Sequence, residues 1–146
     1  NRLEFLLEII PSKVATTDDD TVATLVHRFY EAGIFPDWWK LEPLKTHAAW
    51  ANAIDAIEAH DRHTRGIVVL GLEAPEAELS QSFEVAASFD LVKGFAVGRT
   101  IFADVATRWL AGEITDAAAT DEMVSRYARL CRVWDNARAK AKEYAA

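Results

Sequence analysis

Apolar residues in this chain fall into two kinds of run, short and continuous or long and periodic, and the two kinds alternate. Phe5-Leu6-Leu7-Glu8-Ile9-Ile10, Trp38-Trp39-Lys40-Leu41, Gly66-Ile67-Val68-Val69-Leu70-Gly71 and Val92-Lys93-Gly94-Phe95-Ala96-Val97 are the short ones, rich in β-branched, aromatic or Leu residues with Pro or Gly close by. Runs of that kind read as buried parallel strands. The stretches between them are helical. Val22, Leu25, Val26, Phe29 and Tyr30 form one stripe, with Asp18-Asp19-Asp20 supplying caps and first-turn charge and Gly33 a left-handed stop. Ala49, Trp50, Ala53, Ile54 and Ile57 form a second. Pro75 stands where a first helical residue would, ahead of Leu79, Phe83, Ala86 and Ala87. Phe102, Val105, Ala106, Trp109 and Leu110 form a fourth, closed by Gly112. A last helix is predicted from about Asp116 to Ala141, with Met123, Tyr127, Leu130, Cys131, Trp134 and Arg138 on one side.

The resulting order, four βα units and a terminal helix, requires a parallel α/β sheet. The strands begin near positions 5, 38, 66 and 92, so each unit takes ~30 residues. A (β/α)8 barrel of ~250 residues uses ~31 per unit. The 146 residues are therefore either a little over half of such a barrel or a complete four-stranded doubly wound sheet. Periodicity does not choose between them.

Composition sets the class. With 51% hydrophobic and 27% charged residues, six Gly and four Pro, the chain is globular and 1–146 forms a single domain or a fragment of one. Sixteen Lys and Arg against 23 Asp and Glu give a net charge of −7, which argues against nucleic acid or an anionic membrane as partner. No apolar run approaches the ~20 residues of a membrane helix. Charges interrupt the apolar stretch in Asn1-Arg2-Leu3-Glu4-Phe5-Leu6-Leu7-Glu8, so no signal peptide is read there. Cys131 cannot form an internal disulfide, which fits a reducing cytosol, so a cytoplasmic location is expected. The chain has no initiating Met and begins almost inside a strand, as a piece of something longer would.

Ligands of parallel sheets and barrels sit at the carboxyl ends of the strands. There this chain places Glu8, Lys40 and Glu42, then Glu73, then Gly98-Arg99. Alternation puts Trp38, Lys40 and Glu42 on one face and Trp39 and Leu41 on the other. A lysine flanked by Trp, Trp, Leu and Pro is costly without a partner or a job. It is either an edge lysine reaching solvent or an amine nucleophile, whose pKa burial would lower. Glu8, in an equally apolar setting, can pair with Lys40, act as a general acid/base, or cap a loop. Gly98-Arg99 opens a helix, where backbone N–H groups and a guanidinium suit a phosphate or carboxylate. A tight turn with a surface arginine is the plainer reading. His60 and His63 flank Asp61 without completing a metal site. His27 and His47 read as helix-surface residues, Cys131 as a structural thiol, the five Trp as core, and Arg138 to Lys142 as a solvated helix end.

Asp37-Trp38-Trp39-Lys40-Leu41-Glu42-Pro43 resembles the sixth-strand motif of class I, Schiff-base (β/α)8 aldolases of the tagatose-bisphosphate aldolase type, where an apolar strand ends in the catalytic lysine. Leu6-Leu7-Glu8 resembles that family's fifth strand, which ends in a catalytic glutamate, and Gly94-Phe95-Ala96-Val97-Gly98-Arg99 its eighth, where Gly-Arg contacts phosphate. Leu7-Glu8-Ile9-Ile10-Pro11, the run from Gly33 to Pro43 and the run from Lys93 to Phe102 are similar to the C-terminal domain of bacterial myo-inositol catabolism proteins, in which a 5-dehydro-2-deoxygluconokinase is fused to an aldolase-like barrel. The resemblance spans nearly the whole chain. It implies strands five to eight of a barrel, with an N-terminal half-barrel and a kinase domain as partners in the full-length protein. It implies a phosphorylated keto-sugar acid as substrate, 5-dehydro-2-deoxy-6-phosphogluconate, cleaved to dihydroxyacetone phosphate and malonate semialdehyde. Lys40 and Glu8 are then the catalytic pair, and Gly71, Gly98 and Arg99 bind substrate phosphate, with no metal or cofactor required. The chain departs from the family at Leu70-Gly71-Leu72, where a small hydroxyl residue is usual, so that contact is left to backbone N–H. Catalytic groups from earlier strands are absent, so the fragment alone is expected to be inactive. The other reading is a non-catalytic binding or regulatory module of the kinase. Open strand edges on Phe5–Ile10 and Val92–Val97, and inward side chains including Trp38, Lys40, Val68 and Phe95 that would face water where the other half should lie, predict association with a second copy or with that half.

Overall fold

The structure is a computed structural model and describes residues 3–71 and 76–144. Its strands are β1 (Leu6–Ile9), β2 (Trp38–Leu41), β3 (Gly66–Leu70) and β4 (Val92–Ala96). Among the described residues its helices are α1 (Thr21–Glu31), α2 (His47–His60), α3 (Glu76–Ala86), α4 (Arg99–Leu110) and α5 (Asp116–Tyr144). Every strand lies within one of the short apolar runs: β2 fills its run, and the others are shorter by one residue at one or both ends. Pro75, read above as a helix start, lies outside the described residues, as does Glu73.

The four strands form one parallel sheet in the order β1-β2-β3-β4. A doubly wound sheet reverses its strand order at a switch point, and this one does not. With right-handed crossovers, an unreversed order sends each connecting helix to the same face of the sheet. Burial bears this out: Trp39, Leu41, Ile67 and Val69 are 0% exposed and form one core with Val26, Trp50, Ile57, Leu79, Phe83 and Leu130 of the helices. Residues of the opposite face, Leu6, Glu8, Trp38, Lys40 and Val68, keep partial exposure. The fold is thus α/β, a four-stranded parallel sheet whose helix-bearing face is closed and whose other face is open.

Local chemistry explains several helix ends. Gly33 (φ +77°) and Gly112 (φ +72°) stop α1 and α4 in the left-handed region, where a side chain would be strained. Thr46 caps α2 by accepting from Ala49 N at 3.0 Å. The acidic triplet does less capping than expected. Asp20 makes no side-chain cap bond; instead Asp18 accepts from Thr21 Oγ1 at 2.5 Å, Asp19 from Thr46 at 2.7 Å and Asp20 from Asn52 at 2.7 Å. The triplet ties the start of α1 to the start of α2.

Two face assignments are corrected. Phe95, expected on the open face, packs toward the helices, stacked on Phe83 (centroids 4.9 Å apart) and edge-on to Trp134 (6.2 Å). A register irregularity at Ile67/Val68 pairs Val68 with Gly94 and Val69 with Phe95, which shifts the alternation by one residue. In α4 the buried residues are Ile101 and Val105, whereas Phe102, Trp109 and Leu110 are exposed. On the same helix Arg126 of α5 donates to Asp104, with Nη2 2.8 Å from Asp104 Oδ2.

Candidate functional site

The side chains of Glu8 and Lys40 emerge on the open face because strand register sets them side by side, Glu8 opposite Lys40 opposite Val68 opposite Gly94. Lys40 Nζ lies 2.6 Å from Glu8 Oε2, with the two side chains 22% and 37% exposed. The partner that a strand lysine requires is therefore a carboxylate on the next strand. Both groups line a cleft of about 420 Å³ at the carboxyl ends of the strands. Gly71, Gly98 and Arg99 line the same cleft, so the five residues to which the resemblance gives a role converge there.

At β3 the fit is tight. A Cβ on Gly71 would stand 2.8 Å from Val97 Cγ1 and 3.2 Å from Thr100 Oγ1, so the close approach of β3 to the start of α4 admits only glycine without a shift. Gly98 caps α4, its carbonyl accepting from Ile101 N at 2.8 Å. The N–H groups of a first helical turn have no partner inside the helix and point out of its end. Arg99 begins that turn.

Three residues of the cleft were not legible as site residues. Lys13 comes from the short 3-10 turn Pro11–Lys13 after β1, Phe102 from the first turn of α4, and Thr100 presents a buried hydroxyl without a hydrogen-bond partner. Nothing in their spacing distinguishes them, since loop geometry brings them in. An unsatisfied buried donor is unusual enough to mark a place where a bound oxygen would fit.

Glu42, expected on the same face as Lys40, turns away. The strand ends at Leu41 ahead of Pro43, so alternation lapses there. Glu42 is 4% exposed and accepts from Ser12 N at 3.3 Å and from Ser12 Oγ. The buried carboxylate pins the 3-10 turn that carries Lys13. Its role is to position a loop.

The histidines form no comparable site. His27 Nδ1 and His60 Nε2 share a hydrogen bond of 2.8 Å between α1 and α2, and His60 stacks on Tyr30 with centroids 5.1 Å apart. Burial pushes the Tyr30 hydroxyl up from its ordinary value. His47 packs on Phe89 at 4.5 Å, and Asp61 accepts from His63 N at 2.8 Å. Among the described residues no three His, Cys, Asp or Glu side chains converge as metal ligands would. Arg138, read as part of a solvated end, instead donates to the carbonyls of Ala87 at 2.7 Å and Phe89 at 2.8 Å just past α3.

No helix among the described residues is long and apolar enough to cross a membrane. Neither a curated protein nor a solved structure matches the chain. Residues 1–138 match the profile of a family described as uncharacterized protein conserved in bacteria, and on that match the chain belongs to the DUF2090 family.

Proposed function

We propose that this chain is the C-terminal half of a (β/α)8 barrel and carries the Schiff-base lysine of a class I aldolase, cleaving a phosphorylated keto-sugar acid. The observation that carries the reading is the Lys40–Glu8 contact of 2.6 Å in a cleft shared with Gly71, Gly98 and Arg99. Amine, carboxylate and anion-binding helix start are the three groups that a metal-free retro-aldol cleavage of a phosphorylated ketone needs.

In this scheme the uncharged Lys40 amine attacks the substrate ketone, and the carbonyl oxygen leaves as water to give an iminium. The Glu8 carboxylate takes the proton of the hydroxyl on the carbon β to the iminium carbon. That hydroxyl carbon becomes an aldehyde as the C–C bond breaks, and the bonding pair enters the iminium to form an enamine. Protonation of the enamine and hydrolysis by water return dihydroxyacetone phosphate and the free lysine. The aldehyde fragment is malonate semialdehyde. The phosphate rests on the N–H groups of the α4 start and the Arg99 guanidinium, and the Thr100 hydroxyl gains an acceptor there. Gly71 leaves room for it and offers a backbone N–H.

Borohydride added to the full-length protein with 5-dehydro-2-deoxy-6-phosphogluconate is expected to fix a mass adduct on Lys40. Substrate-dependent cleavage without that adduct, or no adduct at all, rejects the assignment. The half-barrel reading has its own check. The open face exposes Leu6 and its neighbour Phe5 beside β1, and the 146-residue chain alone is expected to associate with a second copy. Sedimentation at low micromolar concentration that gave a stable 16.2 kDa monomer would count against it.

A further inference from the structure

Across the sheet the cleft is laid out in strand order. Lys13 and Glu8 belong to β1 and the turn after it, Lys40 to β2, Leu70 and Gly71 to β3, Gly98 and Arg99 to β4 and the turn after it. Three strand spacings separate the ends of that row, roughly 14 Å between backbones. The row is cationic at both ends. At the β1 end, Glu8 is already engaged by Lys40 of the next strand. Glu8 is also the single acid lining the cleft among the described residues, and Lys13 has no ion-pair or side-chain hydrogen-bond partner there. Lys13 is not on a loose loop: the residue before it is held through both its backbone N–H and its hydroxyl by the buried Glu42. A buried acid is spent on holding an unpaired cation at the rim of the cleft.

We propose that Lys13 is the carboxylate-binding residue of this site and makes it selective for substrates with an anion at each end. The inference rests on the aldolase reading for where the ketone lies, and it adds the substrate's direction. With the phosphate at Gly98-Arg99 and the ketone beside it at Lys40, the hydroxyl that loses its proton falls at Glu8. The remaining carbons then run toward β1, and a terminal carboxylate reaches Lys13. An ammonium facing a carboxylate at a partly exposed rim contributes a charge-assisted hydrogen bond, enough for about tenfold in affinity.

The test is equilibrium binding to the full-length protein of two stable probes, 6-phosphogluconate and sorbitol 6-phosphate, which share the phosphate and differ in the terminal carboxylate. The wild type is expected to prefer 6-phosphogluconate by about tenfold. Lys13→Met should bring the ratio close to one while leaving sorbitol 6-phosphate binding within about twofold, and Lys13→Arg should keep most of the preference. Lys13 is exposed, so neither variant threatens folding. A wild type without preference, a Lys13→Met protein that retains it, or failure of both probes to bind overturns the proposal. Borohydride trapping on Lys40 is read in parallel. A Lys40 adduct without carboxylate preference rejects the Lys13 assignment alone. Carboxylate preference that depends on Lys13, without an adduct, rejects the aldolase chemistry and leaves a two-anion site.

Discussion

Two of the ion-pair arrangements among the described residues are built on opposite plans. Between α4 and α5, Arg108 and Arg126 face Asp104 and Glu122 in a network where each charge has two partners: Arg108 to Glu122 at 2.7 Å and to Asp104 at 3.5 Å, Arg126 to Glu122 at 2.6 Å and to Asp104 by two nitrogens. Hydrogen bonding to Arg126 holds the Asp104 carboxyl down at about 2. Between β1 and β2, Glu8 and Lys40 have each other, in a concave cleft lined by further cations. The network joins two helices. The solitary pair joins strands that the backbone already holds together, so its charges are not needed to hold the fold. On the proposed reading the redundant pairing is a fastening, and the single pair in the cleft is the place for chemistry.

That contrast breaks first at Lys40. In the full-length protein Lys40→Ala is expected to abolish cleavage, by about 10⁴-fold or more, while the urea midpoint moves by less than about 1 kcal/mol in stability. Glu8→Gln should lower kcat by about 10² to 10⁴ and still allow the Lys40 adduct to form slowly. An equal loss of stability and activity in either variant would make the pair a fastening like the other.

Glu42→Ala sharpens the comparison from the side of the fold. It removes a buried acceptor of two Ser12 hydrogen bonds, and a loss of about 1 to 3 kcal/mol is expected by urea denaturation. Because the turn it frees carries Lys13, the half-saturating substrate concentration should rise along with it.

The smallest effects belong to the network. Arg126→Ala should cost under about 1 kcal/mol at neutral pH and leave cleavage unchanged. Its signature lies in acid. Asp104 ionises more easily folded than unfolded, so its contribution is complete above its ordinary value of 3.8 and is lost as the pH falls toward about 2. Glu122 is lowered in the same sense by Arg108 and Arg126. The wild type should lose more stability than Arg126→Ala between about pH 5 and pH 2, measured by urea midpoints across that range.

What the sequence made legible, and what it did not, follows the same division. Strands were legible because each is a short apolar run that local packing demands. Glu8 and Lys40 stood out because a charge inside such a run needs a reason. Phe95 was misassigned because one irregular register step, set by pairing with β3, reverses which side it faces. The α4 stripe failed because Ile101 and Val105 suffice to bury the helix, leaving Phe102, Trp109 and Leu110 to solvent. Lys13 and Thr100 were beyond reach, because the residues they meet in the cleft lie on other elements. In the network the pairs Asp104–Arg108 and Glu122–Arg126 follow i,i+4 spacing along one helix, and only the contacts between α4 and α5 leave no trace in the chain.

The last helix has a consequence for how the molecule is made. α5 has 29 residues, about 44 Å of rod, and lays Leu130, Trp134 and Ala137 into the core. Trp134 completes the aromatic cluster around Phe83 and Phe95, and Arg138 reaches back 51 residues to the end of α3. A ribosome delivers that helix after every strand. Until it emerges, Phe95 has only Phe83 of α3 against it and lacks the cover of Tyr127 and Trp134. Final consolidation of α3 and β4 therefore waits until α5 has emerged, and a chain stalled before it is the form a chaperone would meet.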